Sequence, residues 1–147
     1  MFSSKKTAVG TPLPLFREWD NKYHFTLDVC ATADNTKCKK FYSPEDNGLT
    51  KKWKGSCWMN PPYGRQITQW IKKAYKESSK NRCSVVALLP ARTDTKYFHE
   101  YIYNTEHNVF KDGIEIRFLK GRIKFIGEKH AAPFPSMIVI FKNKYIK

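Results

Sequence analysis

The four residues Asn60-Pro61-Pro62-Tyr63 form the most chemically suggestive run in the chain. Two consecutive prolines fix φ and stiffen the backbone. They also push the residue before each of them toward extended geometry. Asn60 therefore presents its amide from a rigid platform, with the backbone oxygen of Pro61 close by as a second acceptor. An exocyclic amino group on a nucleobase carries two N–H donors, and its lone pair is delocalised into the ring. Two acceptors facing those hydrogens favour a pyramidal nitrogen and release the lone pair for attack. Tyr63 offers an aromatic face for the base, a contact worth about 1–3 kcal/mol.

Such a loop needs elements to hold it. Ser56 to Met59 is a short apolar run that reads as a strand ending at the prolines. From Arg65 to Lys80 the apolar positions Ile67, Trp70, Ile71, Ala74 and Tyr75 recur at helical spacing. The loop thus lies between a strand and a helix. Phe25 to Val29 and Ser84 to Leu89 read as further buried strands, the second stopped by Pro90, and Lys39 to Ser43 as a weaker one. A helix is expected from Thr11-Pro12 to about Asn21, shortened or delayed by Pro14. Another is expected over Asp94 to Asn104. Ile114 to Phe118 and Ile123 to Phe125 alternate around Gly121 and predict a hairpin, and Ser136 to Phe141 a last strand. Trp53, Trp58 and Trp70 are expected in the core.

Alternating strands and helices with a β-rich C-terminal end predict an α/β fold, its sheet parallel at first and then antiparallel. Ligands bind such sheets at the carboxyl ends of the strands. Here those ends carry Asp28-Val29-Cys30-Ala31, Asn60 to Tyr63, and Pro90-Ala91-Arg92-Thr93. Alternative readings exist for the individual residues. Asp28 also suits a helix cap, Asp46 an ordinary turn in Pro44-Glu45-Asp46-Asn47-Gly48, and Cys30 a nucleophile. Pro-Pro-Tyr also suits a peptide ligand of a Pro-binding module.

The 147 residues bound the answer further. At 41% apolar the chain can bury a core, and 27 Lys and Arg against 13 Asp and Glu give a net charge of +14. The excess runs along the whole chain and points to a polyanionic partner, foremost nucleic acid. No apolar run is long enough for a membrane helix, and no secretory signal is read at the N-terminus. Residues 1–10 read as a flexible basic leader and 11–147 as a single domain. Cys30, Cys38, Cys57 and Cys83 have no metal-ligand spacing and read as reduced cytoplasmic thiols. His24, His99, His107 and His130 share no metal spacing either.

Several segments together resemble one family. Asn60 to Tyr63 looks like motif IV of the amino-group DNA methyltransferases. Thr11-Pro12-Leu13, Leu27 to Ala31, Glu45 to Leu49 with Trp53, Leu88 to Asp94, Gly121 to Phe125 and Ala132 to Ser136 occur in the order of the phage-type DNA N-6-adenine methyltransferase (Dam) family. The resemblance implies a Rossmann-like fold dependent on S-adenosylmethionine and methylation of adenine N6 in DNA. It implies that Asn60, Pro61, Pro62 and Tyr63 are catalytic. It implies that Thr11, Pro12, Asp28, Cys30, Ala31, Asp46, Leu49 and Asn60 bind the cofactor, with Asp28 at its amino group and Asp46 at its adenine. Tyr63, Arg92, Thr93, Arg122 and Lys124 would touch DNA. No metal or membrane is implied, and a monomer or homodimer in the bacterial host cytoplasm would serve.

The chain departs from the wider class in having Cys30-Ala31-Thr32 where many relatives carry a Gly-rich loop. It also has Asn60 where adenine enzymes commonly have Asp. The ribose partner is open between Asp34 and Asn35. At this length target reading is expected from residues 92–112 and 120–135. The alternatives left standing are cytosine N4, adenine in RNA, a protein amide, and a basic nucleic-acid-binding module without catalysis.

Overall fold

The computed structural model describes residues 10–80 and 83–142. Helix α1 (Leu13–Tyr23) leads to strand β1 (Leu27–Asp28). A 3-10 turn (Gly48–Thr50), β2 (Ser56–Met59), α2 (Ile67–Lys80) and β3 (Ser84–Pro90) follow. After a π-helical turn (Phe98–Ile102) come β4 (Tyr103–Asn104), β5 (Val109–Phe110), β6 (Ile114–Phe118) and β7 (Ser136–Phe141). The main sheet runs β1-β2-β3-β7-β6, and β4 pairs with β5 apart from it. β1, β2 and β3 are parallel, while β7 and β6 join antiparallel. The expected mixed α/β sheet is therefore present, with its antiparallel part at the C-terminal end.

The apolar runs of β3 and β7 have a simple cause. Both strands are buried along almost their whole length, so both side-chain faces must be apolar. Alternate residues serve opposite layers. Val85, Ala87 and Leu89 pack with Val139 and with Trp70 and Ile71 of α2. Val86 and Leu88 pack with Ile138 and with Phe16 and Trp19 of α1. A helix thus covers each face.

α1 begins later than the sequence predicts. Pro12 precedes it and Pro14 lies in its first turn, where a missing N–H costs nothing because that donor has no helical acceptor. It ends at His24, whose φ of 51° is left-handed and whose N–H still reaches the Asp20 carbonyl at 2.7 Å. On α2, Glu77 is buried, yet its carboxylate accepts from Trp53 N (2.8 Å) and faces Lys73 Nζ (3.4 Å). It ties the segment before β2 to the helix. All four tryptophans are buried.

Five expectations are corrected. β1 is a two-residue ladder, because only Leu27 and Asp28 have partners in register on β2. Lys39 to Ser43 makes one isolated bridge, Asp28 with Phe41, and no strand. Pro90 closes β3 from inside, opposite Ser136, instead of standing beyond it. The helix expected to Asn104 gives way at Tyr103, where the chain straightens to pair with β5 and Tyr103 stacks on Phe98 at 5.8 Å.

The fifth correction concerns topology. β6 pairs with β7, Ile114 opposite Phe141, and not with residues 123–125. β7 offers a wholly buried apolar edge, which a short turn at Gly121 cannot match. Ile123 and Phe125 alternate because they point inward from a loop, where Phe125 is buried. Gly10, the one described residue of the expected leader, bridges Ile126 of the same loop; residues 1–9 lie outside the described residues.

Gly48 sits where backbone meets backbone. A Cβ there would lie 2.3 Å from the Val29 carbonyl oxygen and 3.2 Å from the Trp70 ring. The Gly48 carbonyl also accepts from Trp53 Nε1 at 2.9 Å. Gly48→Ala is expected to cost about 1–3 kcal/mol of stability by overpacking. A chemical denaturation curve measures it, and an unchanged midpoint would mean that the turn moves aside freely.

Candidate active site

The carboxyl ends of β1, β2 and β3 lie side by side, since the three strands are parallel neighbours. Three buried polar side chains gather there: Thr11, Asp28 and Asn60. They line one small cleft together with Cys30. The Asn60 amide donates from Nδ2 to Thr11 Oγ1 at 2.9 Å. That bond sets which end of the amide faces Thr11.

Asp28 ends β1 with its carboxylate turned back on its own loop. Oδ1 accepts from Cys30 N (3.4 Å) and Oδ2 from Lys37 N (3.1 Å). Burial pushes its pKa up to about 6, while the two backbone donors and the Lys37 charge pull the other way. The same burial, with Asp28 nearby, pushes the Cys30 thiol up to about 12. A thiol in that state is a poor nucleophile, which weighs against the covalent reading of Cys30.

Beside this cluster opens a cavity of about 360 Å³, walled by Cys30, Ala31, Tyr42, Leu49, Pro62 and Trp70 among others. This is the size of a small-ligand site. Cys30, Ala31 and Leu49, expected at the cofactor, line it together, and so does Trp70, expected only in the core. Trp70 does both, stacking on Trp53 at 6.2 Å and facing the cavity. Gln66 and Gln69, which also line it, went unassigned. Their signal was two polar residues at the start of the helix that follows the loop, Gln66 just before it and Gln69 in its first turn.

Asp46 stands apart. It is exposed, and its Oδ2 accepts from the N–H and Oγ of Ser43 (2.9 and 3.0 Å). Those bonds hold its carboxyl below the usual range. Ser43 and Asn47 line the cavity, whereas Asp46 closes the turn that carries them. Asn35 likewise serves the backbone, accepting from Thr32 N at 2.7 Å, and Asp34 is exposed.

A second cavity, of about 450 Å³, opens on the other side of the loop. Tyr63, Tyr97 and Phe134 give it aromatic walls, and Arg65, Arg92 and Lys96 line it as well. Tyr63 is held by edge contacts to Phe125 (6.0 Å) and Phe134 (5.4 Å), and its hydroxyl donates to the Leu88 carbonyl at 3.4 Å. The Arg92 guanidinium lies 5.7 Å from the centre of the Phe134 ring. The loop thus separates two cavities, with Pro62 in the wall of one and Tyr63 in the wall of the other.

The remaining expected contacts lie outside both cavities. Thr93 is exposed, and its carbonyl bonds His99 Nε2 at 2.8 Å. Arg122 and Lys124 are exposed on the loop that carries Phe125. Among the described residues no group of three or more His, Cys, Asp or Glu is placed to hold a metal. No helix among them is long and apolar enough to cross a membrane.

The chain is 33% identical over 144 residues to the "DNA N-6-adenine-methyltransferase" of Haemophilus phage HP1, covering 96% of this chain and 82% of that protein. It is 37% identical over 95 residues to a protein of the same name from Escherichia phage T1, covering 62% of this chain but 39% of the relative. The family model for DNA N-6-adenine-methyltransferase (Dam) matches residues 3–146. With a match over nearly its whole length, the chain belongs to the DNA N-6-adenine-methyltransferase (Dam) family.

Proposed function

We propose that this protein transfers a methyl group from S-adenosylmethionine to the N6 amino group of adenine in DNA. The reading rests on the loop Asn60 to Tyr63 standing between two cavities of different character, together with the family of the chain. The sheet is read as a Rossmann-like core spanning 11–147, acting in the cytoplasm of a bacterial host.

The residues around the first cavity fit the cofactor. Cys30, Ala31, Leu49, Pro62 and Trp70 supply a flat apolar slot for an adenine ring. Asp28, buried at its edge, suits an ammonium group, and Thr11 and Pro12 would close that end. Asp46 acts through the turn that it shapes, with Ser43 and Asn47 nearer the ring. When bound, S-adenosylmethionine supplies an electrophilic methyl group.

The chain's own residues do the rest. Tyr63 takes the target adenine on its face inside the second cavity. The Asn60 side-chain oxygen and the Pro61 carbonyl accept the two amino hydrogens, so the nitrogen attacks as a neutral amine. Thr11 is a positioning residue, because its hydroxyl fixes the Asn60 amide. Burial of Asn60 keeps water from competing for the amino group. Most of the rate then comes from holding the reactants in line. Arg92, Thr93, Arg122 and Lys124 would hold the strand.

The direct test is transfer of radiolabelled methyl from S-adenosylmethionine to unmethylated DNA, followed by nucleoside analysis. N6-methyladenine is expected; N4-methylcytosine, or label in RNA alone, would overturn the acceptor assignment. Asn60→Ala is expected to lower kcat about 100-fold or more, as loss of one preorganised polar group does. Calorimetry should show cofactor affinity almost unchanged in that variant, and a parallel loss of both would remove its catalytic role.

A pH dependence also follows. The raised pKa of Asp28 means that its protonated form is favoured by burial. Its contribution to stability is full below about 4, the usual aspartate value, and is lost as pH rises through about 6. Binding of the cofactor's ammonium group needs the ionised form, so the signs oppose. Affinity for S-adenosylhomocysteine is expected to fall as pH drops through about 6, and Asp28→Asn to flatten that profile. A native profile without the drop would take the ammonium away from Asp28.

A further inference from the structure

We propose that Arg65, Arg92 and Lys96 clamp the phosphodiester backbone on both sides of a nucleotide whose base enters the cavity between Tyr63, Tyr97 and Phe134. This rests on the reading of the second cavity as the acceptor site. It adds Arg65 and Lys96 as strand-holding residues and gives the three cations one task.

The cations reach the cavity from two separate segments. Arg65 lies in the turn between Tyr63 and α2, where Gly64 adopts a φ of 116°. Arg92 and Lys96 lie beyond the end of β3. Among the described residues no carboxylate lines this cavity, whereas three cations do. Their arrangement around aromatic walls matches a base directed inward and its flanking phosphates left outside.

The guanidinium groups are available for that task. Among the described residues neither Arg65 nor Arg92 makes an ion pair. Each offers a planar fork of donors that matches two phosphate oxygens. The Arg92 guanidinium lies over the Phe134 ring, 5.7 Å from its centre. Lys96 faces Glu100 at 3.5 Å, but its side chain is 86% exposed. An exposed pair of that kind contributes little and yields readily to a phosphate.

The test is the salt dependence of binding to a fluorescent single-stranded oligonucleotide carrying one adenine, with S-adenosylhomocysteine present. Each lost phosphate contact should reduce the slope of log affinity against log salt by about 0.7. Arg65→Gln and Arg92→Gln are each expected to show that reduction and to raise the KM for DNA, with cofactor affinity unchanged. Lys39→Gln, an exposed cation elsewhere on the surface, should change the slope much less. Equal effects in all three variants would mean diffuse attraction by net charge and would overturn the clamp. If N6-methyladenine still forms in that case, the proposed reaction stands and only the clamp falls. If no methyl reaches DNA at all, both fall.

Discussion

The hydrogen bond from Asn60 Nδ2 to Thr11 Oγ1 joins residues 49 positions apart in the chain. Both side chains are almost without solvent exposure. A buried amide that loses such a partner leaves its donor desolvated and unpaired, at a cost of about 1–3 kcal/mol. The bond therefore holds the segment before α1 against the end of β2. It also sets the orientation of the Asn60 amide at the head of the loop. The prolines that follow make this orientation transmissible, since they leave the backbone little freedom to absorb a rotation. Everything proposed for the site depends on that one amide being held still.

Tyr63 is held by different means. Its ring meets Phe125 and Phe134 edge-on, and both come from the long segment between β6 and β7. That segment is anchored at several points: Ala132 N donates to the Ile123 carbonyl at 2.7 Å, and Ala91 N to the Pro135 carbonyl at 2.9 Å. The C-terminal part of the chain is thus the support for a loop that lies near its middle. The β6–β7 pairing explains why. By leaving residues 119–135 out of the sheet, it frees them to cross over the strand ends.

Much of this was legible in the sequence, for physical reasons that can be named. α2 was legible because an amphipathic helix repeats its apolar face over four turns. β2, β3 and β7 were legible because doubly buried strands need unbroken apolar runs. The Asn60 to Tyr63 loop was legible because two prolines at a strand end have few other uses. Other features depend on distant partners and leave no local mark. Ile123 and Phe125 alternate like a strand, although their period reflects a loop pinned beneath Tyr63. Trp70 shows helical spacing whether it faces core or cavity. Asp46 looks equally like a ligand and a turn residue, and only its bonds to Ser43 assign it to the turn. The second cavity draws Arg65, Lys96 and Phe134 from three segments, a convergence that no window of sequence contains.

The distribution of charge follows from the same geometry. The chain carries +14 overall, so a polyanion is attracted to it from any direction. What sorts the reactants is local. Next to the first cavity, in the cleft that shares Cys30 with it, lies the buried carboxyl of Asp28, whose ionisation burial disfavours. It gains most from a cationic partner, which offsets that penalty. At the second cavity the charged residues in the wall are all cations, and a phosphate backbone neutralises them. On the proposed reading, a cationic methyl donor and an anionic strand each find favourable electrostatics on one side of the loop and poor electrostatics on the other. The loop is then a boundary between two environments as well as a support for Asn60. On that reading Tyr63 stops the target base at the loop, with its amino group toward Asn60 and its phosphates left among the cations of the second cavity.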